Sequence, residues 1–213
     1  MLSKIHYISR GNSVEEQKMH IRNALDAGCK MVQLRFKNAS KAEILEVALA
    51  AKAWCSDAHA CLIINDSIEI AREADADGVH LGLTDDSIAE ARSILGPDKL
   101  IGGTANTLED VLQRIEERCD YVGLGPFRFT TTKANLSPIL GLEGYTRILS
   151  ELTNRHLSIP VYAIGGILKE DVPALIQTGV YGIALSGMIT DAADRAARIY
   201  ELEQIVNHAE ISR

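Results

Sequence analysis

The sequence predicts an α/β protein, a single (β/α)8 TIM barrel spanning residues 1-213. Three observations carry that expectation: eight short apolar runs, a helical pattern after each of them, and a length that suits one barrel. The first run, 5–9, is followed by a helical stretch, 13–27, that Gly28 stops. The second, 31–35, leads through the cap Ser40 into 41–57, where Ile44, Val47, Ala48 and Ala51 recur at helical spacing. The third, 61–65, precedes a helix over 67–75 with Ser67 as its cap, and the fourth, 78–81, precedes one over 86–95 that ends at Gly96. The fifth, 100–104, is followed by 107–118, opened by Thr107 with Asp110 three residues on. The sixth, 121–124, and seventh, 161–164, lead into 143–155 and into 168–178, the latter stopped by Gly179; the eighth, 182–185, leads into 192–207. Runs this short and apolar on both faces suit a parallel sheet covered by helices. Eight such repeats in about 200 residues favour a closed barrel over an open doubly wound sheet.

Composition narrows the function. Hydrophobic residues make up 46% of the chain and charged residues 24%, and no apolar run approaches the roughly 20 residues of a membrane span. The opening residues enter a strand directly, without a signal-peptide pattern, and imply a cytoplasmic protein. Cys29, Cys55, Cys61 and Cys119 lack metal-ligand spacing and are expected to be reduced packing residues. A net charge of -7 argues against nucleic acid as a partner. A homo-oligomeric state is compatible with all of this.

The chemistry of such a barrel sits where its strands end. After the second strand, a period of two puts Gln33, Arg35 and Lys37 on one side of the extended chain, two cations and an amide together. Asn65 and Asp66 follow the third strand, and His80 to Asp86 include Asp85 and Asp86 after the fourth. An acid after each of two adjacent strands suits Mg2+, which one or two carboxylates hold together with substrate phosphate oxygens. The bland alternative makes Asp66 and Asp86 helix caps; it is favoured for Asp86, and the metal for Asp66 and Asp85. Thr104 adds a hydroxyl after the fifth strand. After the sixth, Gly125-Pro126-Phe127-Arg128-Phe129-Thr130-Thr131-Thr132-Lys133 combines a tight turn, three hydroxyls and an ammonium with no acid to oppose an anion. Gly165-Gly166 and Ser186-Gly187 follow the last two strands, where small residues let backbone N–H groups cup a phosphate. Two anion sites are therefore expected: a neutral cup for a monophosphate, and a cationic, metal-assisted site for a diphosphate.

These residues resemble the thiamine phosphate synthase family, also called thiamine phosphate pyrophosphorylase, over nearly the whole chain. The resemblance rests on Val32-Gln33-Leu34-Arg35-Phe36-Lys37, on Ile64-Asn65-Asp66, on Asp77-Gly78-Val79-His80-Leu81-Gly82 with Asp85, on Ile101-Gly102, on Asp120 to Pro126 with Thr130, Thr132 and Lys133, and on Ala163-Ile164-Gly165-Gly166-Ile167. It implies an enzyme that joins an aminopyrimidine methyl diphosphate to a thiazole ethyl phosphate and releases pyrophosphate. It implies that Gln33, Arg35, Lys37, Asn65 and Lys133 hold the diphosphate, with Arg35, Lys37 and Lys133 as the catalytic cations. Asp66 and Asp85 would bind Mg2+. Thr130, Thr132, Gly166, Ser186 and Gly187 would hold the thiazole phosphate, with Thr104 and Thr131 as further substrate contacts. The chain departs from the family at Leu83, usually Gln, at Thr104, usually Ser, and at Thr131, usually Pro; the serine after the eighth strand is Gly187, preceded by Ser186. None of these departures deletes a charge. A thiazole phosphate tautomerase on the same barrel would need only the monophosphate cup, and a non-catalytic phosphate-ligand sensor would keep both sites without turnover.

Overall fold

The computed structural model describes residues 2–129 and 138–208. Among them, eight parallel strands close into a barrel in sequence order: β1 (Ile5–Ile8), β2 (Met31–Leu34), β3 (Cys61–Asn65), β4 (Gly78–Leu81), β5 (Leu100–Ala105), β6 (Tyr121–Leu124), β7 (Val161–Ile164) and β8 (Gly182–Leu185). Closure comes from β1, which pairs with β2 at Tyr7 and Val32 and with β8 at Tyr7 and Leu185. The covering helices are α1 (Val14–Asp26), α2 (Lys41–Asp57), α3 (Ile68–Glu73), α4 (Ile88–Leu95), α5 (Leu108–Glu116), α6 (Gly141–Asn154), α7 (Val172–Gln177), α8 (Gly187–Thr190) and α9 (Arg195–His208).

Alternation along each strand divides the core in two. Val32, Leu34, Leu62, Ile64, Val79 and Leu81 point outward and are buried against the helices, each worth roughly 2 kcal/mol of transfer free energy. Ile8, Met31, Ile63, Tyr121, Tyr162 and Ala184 fill the barrel itself. Gly102 makes room for this filling, since a Cβ there would fall 2.1 Å from the Tyr121 ring. His6 packs edge-on against Tyr121 and Tyr162, with ring centroids 5.7 and 5.4 Å apart. Burial first, and the neighbouring His80 second, push its imidazole down to about 3 from 6.5.

That shift has a sign. The unfolded chain protonates His6 as pH falls through 6.5, whereas the folded protein does so only near 3, so stability declines across that window as acid is added. The contribution is about 1 kcal/mol per pH unit. In urea titrations from pH 6.5 to pH 4, a His6→Leu variant is expected to lose stability less steeply than the parent; an unchanged slope would show that His6 carries none of it.

The caps Ser40, Ser67 and Thr107 are where the sequence places them, Ser40 and Thr107 as full capping boxes with Glu43 and Asp110. Asp86 is not a cap: Ser87 is, its hydroxyl accepting the Glu90 N–H at 3.1 Å. Asp66 likewise yields that place to Ser67. The first two strands stop one residue early, at Ile8 and Leu34. There the Ser9 hydroxyl takes the Arg35 N–H at 3.0 Å and donates to Gln17 at 2.7 Å. The helix expected at 192–207 begins at Arg195, as α9, where Asp194 accepts the Ala197 N–H at 2.9 Å, and the short α8 before it was not expected. The helix expected at 143–155 begins at Gly141, and that at 168–178 opens with a 3-10 turn, Lys169–Asp171. The cysteines are free thiols, and burial raises Cys29 to about 11 and the other three to about 12. No helix among the described residues is long and apolar enough to cross a membrane.

Candidate active site

The C-terminal ends of β2, β3 and β4 build a charged wall. Gln33 is buried at the top of the barrel, and its Nε2 donates to Asn65 Oδ1 at 2.6 Å. Arg35 is half-buried beside it; burial lowers the guanidinium pKa, and Asp66 works against that shift. Asp66 adopts a left-handed backbone, φ 67°, which turns the chain from β3 into α3 and aims its carboxylate at the Lys37 ammonium, with which it pairs. Asp85 accepts the Gly82 N–H at 2.6 Å. Burial, and after it the hydrogen-bonding neighbour Asp66, raise the Asp85 carboxyl pKa. Two carboxylates held this close repel unless a cation lies between them. Lys37 supplies part of that charge, and an oxygen-seeking divalent ion fits the same donor set. Among the described residues no group of three or more acids, histidines or cysteines forms, so water and substrate oxygens would complete its shell.

Across the mouth, β7 and β8 end in small residues. Gly165 and Gly166 take φ 94° and 68°, conformations that a side chain would strain, and Ser186-Gly187 follow β8 beside them. Arg128 ties this turn to the end of β6: its Nη1 donates to the Gly166 carbonyl at 2.6 Å, and both Nη atoms grip Asp171 at 2.8 and 3.0 Å. The backbone repeats the link, Phe127 N–H to Ile164 at 2.9 Å and Arg128 N–H to Gly165 at 3.0 Å. Thr130, Thr131, Thr132 and Lys133 lie outside the described residues.

Comparison with known proteins decides the family. The model of the family described as thiamine monophosphate synthase matches residues 5–189. The chain belongs to this family. A thiamine-phosphate synthase of Flavobacterium psychrophilum is 50% identical over 204 residues, 96% of this chain and 99% of that one. One from Bacteroides thetaiotaomicron is 53% identical over 184 residues, 86% of this chain and 87% of that one. The solved thiamine phosphate pyrophosphorylase of Pyrococcus furiosus superposes with a TM-score of 0.82 at 32% identity, covering 97% of this chain and 96% of its own. A thiamine-phosphate synthase is a transferase of thiamine biosynthesis.

Not every residue of the thiamine monophosphate synthase pattern faces the mouth. Asp77 and Asp120 sit at the opposite end of the barrel. Asp77 accepts the Leu62 N–H at 2.8 Å and pairs with Lys52; Asp120 accepts the Ile101 N–H at 2.7 Å and pairs with Arg92. They stitch strand starts together.

Two residues assigned no role from the sequence do matter at the mouth. His80 Nε2 lies 3.1 Å from the Thr104 hydroxyl, and Gly123 leaves space for the ring, since a Cβ there would sit 3.2 Å from His80 Cε1. A histidine inside a four-residue apolar strand was the available signal. Arg114 is buried behind the wall, donating to the Thr104 carbonyl at 3.2 Å and to the Gly82 carbonyl at 2.9 Å, while Gly82 N–H holds Asp85. Its signal was an arginine three residues from Val111, on the face of α5 that turns inward.

Proposed function

We propose that this mouth joins an aminopyrimidine methyl diphosphate to a thiazole ethyl phosphate, giving thiamine phosphate and pyrophosphate. The observation that carries the reading is the partition of the mouth: Gln33, Asn65, Arg35, Lys37, Asp66 and Asp85 on one side, the uncharged turns at Gly166 and Ser186-Gly187 on the other. In this reading Gln33, Asn65, Arg35, Lys37 and Lys133 take the pyrimidine diphosphate, with Thr104 beneath it. Thr130, Thr132, Gly166, Ser186 and Gly187 take the thiazole phosphate, with Thr131 as a further substrate contact. Asp66 and Asp85 would hold Mg2+, which when bound neutralises charge growing on the diphosphate. The free thiols fit a cytoplasmic setting.

The residues then act by position and charge. The bond between the pyrimidine methylene carbon and the diphosphate oxygen breaks with both electrons leaving on oxygen, and Arg35 and Lys37 meet that charge. The exocyclic amine of the pyrimidine spreads the positive charge left on the methylene. The thiazole nitrogen, held by its phosphate in the facing cup, gives its lone pair to the same carbon and closes the C–N bond. Atoms and electrons balance without a protein nucleophile. A thiazole phosphate tautomerase would leave the cationic wall without a role.

Calorimetric titration of each ligand tests the partition. Arg35→Ala is expected to weaken the pyrimidine diphosphate by about 10-fold or more, the worth of one charge-assisted contact, and to leave thiazole phosphate affinity within about twofold. Equal losses for both ligands would mean that the two sides of the mouth are wrongly assigned.

A further inference from the structure

We propose that Arg10 is a further phosphate-binding residue, whose guanidinium moves onto the monoester phosphate held at Gly166 and Ser186-Gly187. The inference rests on the reading of that cup as the thiazole phosphate site.

Placement comes first. β1 pairs with β8, so the residues that follow Ile8 and Leu185 emerge side by side at the mouth. Arg10 thereby reaches Gly187: a Cβ built there would lie 3.0 Å from Arg10 Nη1 and 3.1 Å from Asp191 Oδ2. A side chain at Gly187 would make the Arg10 and Asp191 tips give way by a few tenths of an ångström. The serine usual at this position would press on the guanidinium, and the glycine leaves Arg10 its place beside the cup. A hydroxyl donor is exchanged for a cation with five N–H donors.

Availability comes second. Arg10 meets Asp191 through Nη1 at 2.9 Å, with side chains 52% and 61% exposed. An ion pair as exposed as this is worth little, so the guanidinium can turn from a carboxylate to a dianionic phosphate at small cost. Its backbone is fixed meanwhile, the Arg10 carbonyl lying 2.6 Å from His20 Nδ1 and the Gly11 carbonyl accepting from buried Gln17 at 3.2 Å. The base of the side chain is anchored while its tip swings. Arg128, a second cation at the cup, is instead committed to Asp171 and the Gly166 carbonyl. In a chain of net charge -7, a monophosphate site built from glycines and hydroxyls gains most from a cation of its own.

Steady-state kinetics with both substrates, together with thiazole phosphate calorimetry, test this on four variants. Arg10→Gln is expected to raise the KM and Kd for thiazole phosphate about 10-fold. The KM for the pyrimidine diphosphate and the melting temperature should stay near those of the parent, and Arg10→Lys should restore part of the loss. Asp191→Asn breaks the same ion pair, and under the proposal it keeps or tightens thiazole phosphate binding. If it instead reproduces the Arg10→Gln loss, the pair merely shapes α8 and the proposal fails. Gly166→Ala separates the two layers of the argument. Unchanged thiazole phosphate binding in Gly166→Ala would overturn the cup itself, whereas a loss there with none in Arg10→Gln would overturn Arg10 alone.

Discussion

Asp66→Ala and Asp85→Ala each lose turnover by about 100-fold or more while the barrel stays folded, the expectation for removing half of a two-carboxylate cation site. Both carboxylates lie at the rim. Asp66 reaches Lys37, and Asp85 reaches the Gly82 N–H, so neither deletion opens a cavity in the core. Asp66 holds a left-handed turn at φ 67°, where alanine adds backbone strain of its own. Asp66→Asn keeps the turn, because asparagine tolerates that conformation, and it removes only the charge. Activity measured across a Mg2+ titration, with a thermal melt for each variant, separates the two effects. Near-parental activity at limiting Mg2+ in either position would remove that residue from the site.

Lys133→Ala lowers the coupling rate by at least about 100-fold, a loss within the range for deleting one donor to transition-state charge. Lys133 lies outside the described residues, and its weight comes from the sequence. It follows three threonines in a segment that begins at the end of β6 and carries no acid between Gly125 and Lys133. Water would trap a pyrimidine cation as the alcohol, so a charge that meets the leaving diphosphate matters to the outcome as well as to the rate. Single-turnover measurement with premixed substrates reads the step directly. An unchanged rate would make Lys133 a solvated residue.

The barrel was legible because each strand announces itself twice, by apolar residues on both faces and by a helical pattern after it. Ser40, Ser67 and Thr107 could be read as caps because the chemistry is local: a hydroxyl meets an N–H three residues on. Asp86 misled because Ser87 beside it is an equally good cap and wins the geometry. The short α8 was hidden, since four residues are too few for a periodic pattern.

At the site, Gln33, Arg35 and Asp66 could be found from alternation and from their place at strand ends. Their pairings could not. Lys37 with Asp66, Arg114 behind Gly82 and Thr104, and Arg10 beside Gly187 join residues far apart in sequence that only barrel closure brings together. The cup read as neutral from its own residues for the same reason: its neighbouring cations arrive from β1 and β6. Asp77 and Asp120 show the converse: they belong to the motifs of the resemblance, yet they anchor the far end of the barrel.

The most direct test of the central claim is a coupled assay of the purified chain with the pyrimidine diphosphate, the thiazole phosphate and Mg2+. Pyrophosphate and thiamine phosphate should appear in equal amounts, with neither formed when one substrate is omitted and the rate collapsing when a chelator removes the metal. Binding of both ligands with no pyrophosphate released, or isomerisation of the thiazole phosphate alone, would contradict the account.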